Sequence, residues 1–315
     1  MRLVIAVATL ALTLAAQAQQ FPSRTVRFIS GVTPGAASDT MARILAEKLS
    51  PIVGQPVIVE NRLGAGGLVG AKYVAEQAEP DGHTIMMYAS AFTVSTLLSP
   101  GVLDPKELQA VATVATIPTV MITPPGKYKT VQDFVAAAKA EPGKIVCSDA
   151  GIGSATHMAF ERFRFAAGFE ALNVHTKGPS EALTEVISGR ADCYFALVFQ
   201  AQKMREAGKV GALVLSGPKR SSLMPDLPTT EEAGYPNSSY NFWVGALVSA
   251  KTPRPIVERL HKEITALVES PEVSAQIKKL GADPLPMSIA EFEAMINKEL
   301  KENAELIKKA GIKAN

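Results

Sequence analysis

The stretch Thr25-Val26-Arg27-Phe28-Ile29-Ser30-Gly31-Val32-Thr33-Pro34-Gly35-Ala36-Ala37-Ser38-Asp39-Thr40-Met41-Ala42-Arg43-Ile44-Leu45 decides the architecture. Thr25–Ile29 is apolar and β-branched, which predicts a strand, and Gly31, Pro34 and Gly35 break it. Met41, Ile44, Leu45 and Leu49 then recur at helical spacing. Ser38 and Asp39 stand where short polar side chains cap the free N–H groups of a helix start. Outward from this unit the alternation continues. A strand is predicted over Pro56–Glu60, the glycine-rich Gly64-Ala65-Gly66-Gly67 follows, then a helix over Leu68–Gln77 and a strand over Thr84–Tyr88. Strand–helix–strand–helix–strand is the pattern of an α/β unit with a parallel sheet.

The pattern restarts downstream. Val131–Ala140 reads as a helix, Lys144–Cys147 as a strand and Asp149–Ser154 as a loop. A helix over Thr156–Ala166, a strand over Ala171–His175, a helix over Ser180–Ser188 and a strand over Ala191–Ala196 complete the second unit. Pro255–Glu269, Pro271–Leu280 and Ile289–Ala310 are amphipathic helices without a sheet of their own. The apolar Asn241–Val248 is placed to carry the chain back to the first unit. The expected division is 1–18 as a signal peptide, 19–121 with 245–315 as a discontinuous first domain, and 122–244 as the second.

A length of 315 residues fits about two domains. With 47% apolar and 20% charged residues, the chain has the make-up of a well-buried globule. The net charge of +2 is spread without one-signed blocks, which argues against a nucleic-acid or membrane-surface partner. Arg2, the apolar run Leu3–Ala16 and Ala16-Gln17-Ala18 read as a signal peptide cleaved after Ala18, which predicts export to a bacterial periplasm. An oxidising compartment permits a bridge between Cys147 and Cys193, the only two cysteines, but two buried thiols acting as small hydrophobes is the favoured reading. The four histidines, His83, His157, His175 and His261, are scattered and show no metal-ligand spacing. No metal or cofactor is expected. Gly64–Gly70 departs from the dinucleotide spacing and reads as a close-packed loop.

Two loops end a strand and open a helix, Thr33–Asp39 and Asp149–His157. Free N–H groups and the positive helix end suit an anion at each, beyond the carboxyl ends of the strands. Ser154 and His157 are too weak a basis for a nucleophile, because no Gly-x-Ser-x-Gly elbow surrounds the serine. An exported serine hydrolase is therefore the least favoured reading, and a binding protein without catalysis the leading one. Phe242 and Trp243 read as core or hinge packing, and the Glu231-Glu232 and Lys308-Lys309 pairs as solvated helix faces.

Arg24–Ile29, Pro34–Asp39, Gly54–Arg62 and Gly64–Gly67 strongly resemble the tripartite tricarboxylate transporter substrate-binding family, also called Bug receptors. Pro80–Thr84, Pro225–Thr229 with Glu232-Ala233-Gly234, and Thr252–Val257 extend the match over the whole chain after residue 18. The resemblance implies an α/β, two-lobed type II periplasmic-binding-protein fold. It would close on an organic carboxylate and deliver it to a two-component membrane permease. A role as ligand sensor for a sensor kinase stays open beside transport, and a monomer is the default for a receptor that must open. The family's first clamp falls on Val32, Thr33, Pro34, Gly35, Ala36, Ala37, Ser38 and Asp39. Its second falls on Gly151, Ile152, Gly153, Ser154, Ala155, Thr156 and His157. Ser90 with Ala91 matches a hydroxyl position after the third strand, Lys177 a cleft-edge turn, and Ala196 a position that is often polar. Val32 stands for a usual aromatic and Gly35-Ala36 for Gly-Gly. With Tyr88 and Phe92 nearby, few polar groups converge. An aromatic or apolar-bodied carboxylate or dicarboxylate is therefore the expected ligand, although Tyr88, Phe92 and Phe199 are equally able to face the core.

Overall fold

A computed structural model describes residues 21–313; the segment read as a signal peptide, Met1–Ala18, lies outside the described residues. The chain builds two sheets. The first contains β1 (Val26–Ser30), β2 (Val57–Asn61), β3 (Thr84–Ala89), β4 (Leu108–Thr116), β10 (Trp243–Ser249) and β11 (Asp283–Pro284), in the order β11-β4-β10-β3-β1-β2. The second contains β5 (Thr119–Thr123), β6 (Val146–Asp149), β7 (Leu172–His175), β8 (Cys193–Leu197) and β9 (Gly211–Ser216), in the order β7-β6-β8-β5-β9. β1 runs parallel to β2 and β3, and β6 runs parallel to β7 and β8. The strands read from the sequence pair parallel as expected, and the sheets are completed by antiparallel pairings of β10 with β3 and β4, β11 with β4, and β5 with β8 and β9. β5 follows β4 and β10 follows β9 directly from the other sheet, with no helix between to align them with their new neighbours.

The helices are α1 (Ala37–Val53), α2 (Leu68–Lys72, continued by a π turn over Tyr73–Gln77), α3 (Ala91–Leu98), α4 (Val131–Ala140), α5 (Ala155–Ala167), α6 (Pro179–Ile187), α7 (Val198–Glu206), α8 (Arg254–Glu269), α9 (Pro271–Lys279) and α10 (Ile289–Ala310). Pro255 and Pro271 sit in the first turns of α8 and α9, where a missing N–H costs nothing. No helix among the described residues is long and apolar enough to cross a membrane. The second sheet is covered on both faces, and β8 shows how the period-two alternation divides its side chains. Cys193 and Phe195 enter one core with Phe134, Phe160 and Phe163; Tyr194 and Ala196 enter the other with Val120, Ile122 and Val186.

The cysteines are bonded, which corrects the favoured reading of two free thiols. The cause is register: Cys147 on β6 and Cys193 on β8 are directly paired residues of neighbouring parallel strands, with Cα atoms 4.6 Å apart. That distance lies within the range a disulfide spans.

The chain passes between the sheets twice, at Ile117-Pro118 after β4 and at Phe242 before β10. The crossings lie side by side, with Ile117 N–H donating to Phe242 O at 2.8 Å. A third link is α10. Its Ile289, Phe292 and Ile296 belong to the first core, while Leu306 belongs to the second. Between these apolar ends a buried polar seam forms. Trp243 Nε1 donates to Glu299 Oε2 at 2.9 Å, Asn303 Nδ2 donates to Thr93 Oγ1 at 2.8 Å, and Arg162 on α5 donates to Asn303 Oδ1 at 3.0 Å.

Burial pushes the Glu299 carboxyl up to about 7, against the opposing pull of the Trp243 hydrogen bond and the Arg162 charge. Unfolded, the same group titrates at about 4.5. Between these values the folded chain holds a proton that the unfolded chain has released. The contribution of Glu299 therefore falls as pH rises through that window and is level above it. Glu299→Gln, which does not ionise, should lose this decline. Urea midpoints of wild type and variant measured from about pH 5 to about pH 8 check it, and parallel curves for the two proteins would assign the decline to another group.

Candidate functional site

The first loop runs from β1 into α1. Ala36 occupies the cap position of α1 and no side chain caps the helix there, so Ser38 does not take the capping role expected of it. Asp39 instead reaches back. It is fully buried, its Oδ2 accepts from Gly35 N–H at 2.9 Å, and its Oδ1 accepts from Asn61 Nδ2 at 2.7 Å. Arg43, one helical turn on, donates to both oxygens, and Asn61 also donates to Val32 O at 2.9 Å. Burial works to raise the Asp39 carboxyl, but the bonds from Arg43, Gly35 and Asn61 and the Arg43 charge outweigh it and hold the group below the usual carboxylate value. The N–H groups of Ala37, Ser38 and Asp39 have no acceptor among the described residues. Thr33, Pro34 and Gly35 are exposed, and Val32, Ala36 and Ala37 are half-buried.

Gly67 packs beneath this loop, whereas Gly64, Ala65 and Gly66, expected to be part of a close-packed loop, are exposed. A Cβ on Gly31 would lie 2.6 Å from Gly67 Cα, so only glycine allows that approach. Gly66 O accepts from Ser95 on α3, and a Cβ on Gly153 of the second loop would touch Val94 and Leu98 of the same helix. A line of contacts thus runs from the first loop through Gly64–Gly67 and α3 to the second loop.

The second loop runs from β6 into α5 and repeats the logic. Asp149 is fully buried, and its Oδ1 accepts from Gly151 N–H at 2.7 Å while its Oδ2 meets His175 Nδ1 at 2.7 Å. Ser154 caps α5 by accepting from His157 N–H at 3.2 Å. Thr156 Oγ1 accepts from Ala150 N–H and lies 3.0 Å from Ser154 Oγ. The N–H groups of Ile152, Ala155 and Thr156 have no acceptor among the described residues. His157 is buried, its Nδ1 accepts from Gly153 N–H at 3.0 Å, and burial holds its imidazole below the usual value. Ser154 and His157 thus meet through the backbone of the histidine, and its Nδ1 is already occupied, which is not the pairing of nucleophile and base.

Ser90 is buried, its N–H donates to Trp243 O and its Oγ accepts from Tyr240 O–H at 3.1 Å; Ala91 is half-buried against the first core. Lys177 is exposed, with its N–H donating to Glu181. Ala196 is wholly inside the second unit's core. Tyr88 and Phe92 belong to the first core and meet edge to face, with the Tyr88 hydroxyl donating to Gly66 O. Their aromatic faces are therefore core and not cleft. Phe199 is half-buried, its Cβ only 2.7 Å from where a Cβ on Gly281 would lie. Sequence reasoning missed the clamp on Asp39 by Arg43 and Asn61, although Asp39 and Arg43 stand at the i, i+4 helical spacing that signals such a pair. It missed Tyr240 and the Asp149–His175 pair, which no local pattern announces.

Because Ser154 satisfies a first-turn N–H of α5, Ser154→Ala should lower stability by about 1 kcal/mol. Ser38→Ala, which removes no cap, should cost less; thermal denaturation of the two variants checks the order, and equal losses would contradict the assignment.

The model of the tripartite tricarboxylate transporter family receptor matches residues 41–312. A protein from the tcbD–tcbE intergenic region of Pseudomonas sp. strain P51 is 33% identical over 273 residues, covering 85% of this chain and 81% of the relative. The solved structure of the periplasmic binding protein BugD is 29% identical, covers 94% of this chain and 100% of its own, and superposes with a TM-score of 0.75. That of R. palustris Rpa4515 with adipate is 26% identical, covers 93% and 99%, and superposes with a TM-score of 0.79. The two-sheet α/β fold is that of these periplasmic binding proteins, and the chain belongs to the tripartite tricarboxylate transporter receptor family of non-catalytic solute-binding receptors.

Proposed function

We propose that this receptor captures an apolar-bodied organic carboxylate, a dicarboxylate first of all, between its two loops. It then passes the ligand in a closed form to a tripartite tricarboxylate-type permease. The observation that carries this reading is the pair of helix starts with unclaimed donors: Ala37, Ser38 and Asp39 on one, Ile152, Ala155 and Thr156 on the other. Each is a place for one carboxylate, since N–H groups and the helix dipole act together there. Two such places, one on each sheet's unit, suit a molecule with an anionic group at each end. A ligand bridging both favours the closed state by its differential affinity alone. The relative solved with adipate supports the same class.

The chemistry of the walls narrows the class. Val32, Pro34, Ala36, Ala37, Ile152 and Ala155 offer no polar side-chain atoms. The carboxylates at hand, Asp39 and Asp149, are buried and committed to hydrogen bonds. An amino-acid ammonium or the extra hydroxyl and carboxylate of citrate would go unpaired there, at a cost of about 1–3 kcal/mol each.

Thermal-shift screening of residues 19–315 against citrate, acidic amino acids, C4 to C8 dicarboxylates and aromatic acids tests the class. A ligand at 100 times its Kd should add about 2.7 kcal/mol of stability, a rise of a few degrees for this size. Shifts with citrate or glutamate but not with dicarboxylates or aromatic acids would overturn the apolar-body reading.

The donors are tested separately. Proline is accepted at the first position of a helix and lacks the N–H, and the extended Ala36 and Ser154 before these positions suit it. Ala37→Pro and Ala155→Pro should each weaken the ligand found in the screen at least about tenfold, the size of one hydrogen bond to a charged group, with melting temperatures unchanged. Isothermal titration reads the affinities; unaltered binding in both variants would remove the two-loop site.

A further inference from the structure

His157 and His175, dispersed in sequence, meet in the fold with ring centroids 4.8 Å apart, edge to face. β6 and β7 pair in a register that sets Asp149 opposite His175, which is why carboxylate and imidazole stand at 2.7 Å. His157 joins them from the first turn of α5. One ligating atom from each residue lies within 4.8 Å of the other two, the one group of this kind among the described residues. The geometry points to Asp149, His157 and His175 as a binding site for a borderline divalent transition metal such as Zn²⁺.

Two imidazoles and a carboxylate are the nitrogen and oxygen donors that zinc accepts, with a further position left for water. An independent observation lies beside the trio. Asn173, two residues before His175 and so on the same face of β7, has both its side-chain nitrogen and oxygen buried with no partner. It lines a cavity of 420 Å³ that is also walled by His157, His175, Glu161 and Ile312. A buried amide left unpaired is costly, and a water on a metal held by the histidines supplies a partner for it.

The present hydrogen bonds show what binding displaces. The metal takes the place of the proton between Asp149 Oδ2 and His175 Nδ1. Alternatively it takes His175 Nε2, and Asp149 then orients the ring through Nδ1–H. Ligation by His157 Nε2 moves the ring proton to Nδ1 and breaks the bond from Gly153 N–H, and the adjustment falls on the Gly151–Gly153 turn.

The test is isothermal titration of the tag-free mature chain, stripped with a chelator, with ZnCl₂. Cobalt(II) d–d absorption reports the ligand geometry. One equivalent should bind saturably, at least tenfold more weakly in His175→Gln and in Asp149→Asn, with His261→Gln as wild type. His175 is partly exposed, so its replacement leaves the core intact and decides the matter even if Asp149→Asn does not fold. No saturable binding by wild type, or equal affinity in wild type and His175→Gln, overturns the site.

Discussion

A buried carboxylate at the root of each loop is the constraint on which the candidate site depends. Asp39 and Asp149 are both fully buried, and each accepts the N–H of a nearby glycine, Gly35 in one loop and Gly151 in the other. Neither is left as a bare charge, since a buried ion without partners is not tolerated. Asp39 is held by Arg43 and Asn61, and Asp149 by His175. With the loop backbone pinned in this way, the N–H groups of Ala37, Ser38, Ala155 and Thr156 stay without an acceptor among the described residues. Both carboxylates are already engaged by donors, so neither presents a free charge to the two helix starts.

The rest of the architecture supports that arrangement from a distance. The disulfide joins β6 to β8, the strand beside the one that carries Asp149. Gly64–Gly67 lies against Gly31 and steadies the turn above it. Tyr240, reaching Ser90 Oγ, links the end of β3 to the segment that returns from the second sheet. Along the back, α10 joins the two cores through Glu299 and Asn303. These buried polar groups specify one register of packing, because any slip leaves them unpaired.

Much of this was legible in the sequence, and the exceptions have physical reasons. Strand–loop–helix units were readable at residues 25–49 and 144–166 because apolar periodicity changes from two to 3.6 across a Gly or Pro break. β4 and β5 were not, because Val111–Ile122 is buried throughout, its three threonines included, so no alternation marks the strands and only Pro118 marks the crossing. α7 was missed because it buries only Val198 and Ala201. Tyr88 gave no sign of its direction, since all six residues of β3 are buried and alternation carries no information there. Both loops were found, whereas the Asp149–His175 pair and the disulfide were not. Each depends on which strands become neighbours, a property of topology that local pattern does not encode.

The adjacency of the two crossings has one more consequence. Because Ile117 and Phe242 are hydrogen-bonded neighbours, the intervening 124 or so residues enter and leave through a single doorway. Such a segment has the layout of an insert. Recombination that exchanged it between related genes would need to match only two neighbouring backbone joints and the face presented to the last helix. One of the two loops could then change while the other was inherited whole, so the layout is open to exchange of halves as well as to point substitution.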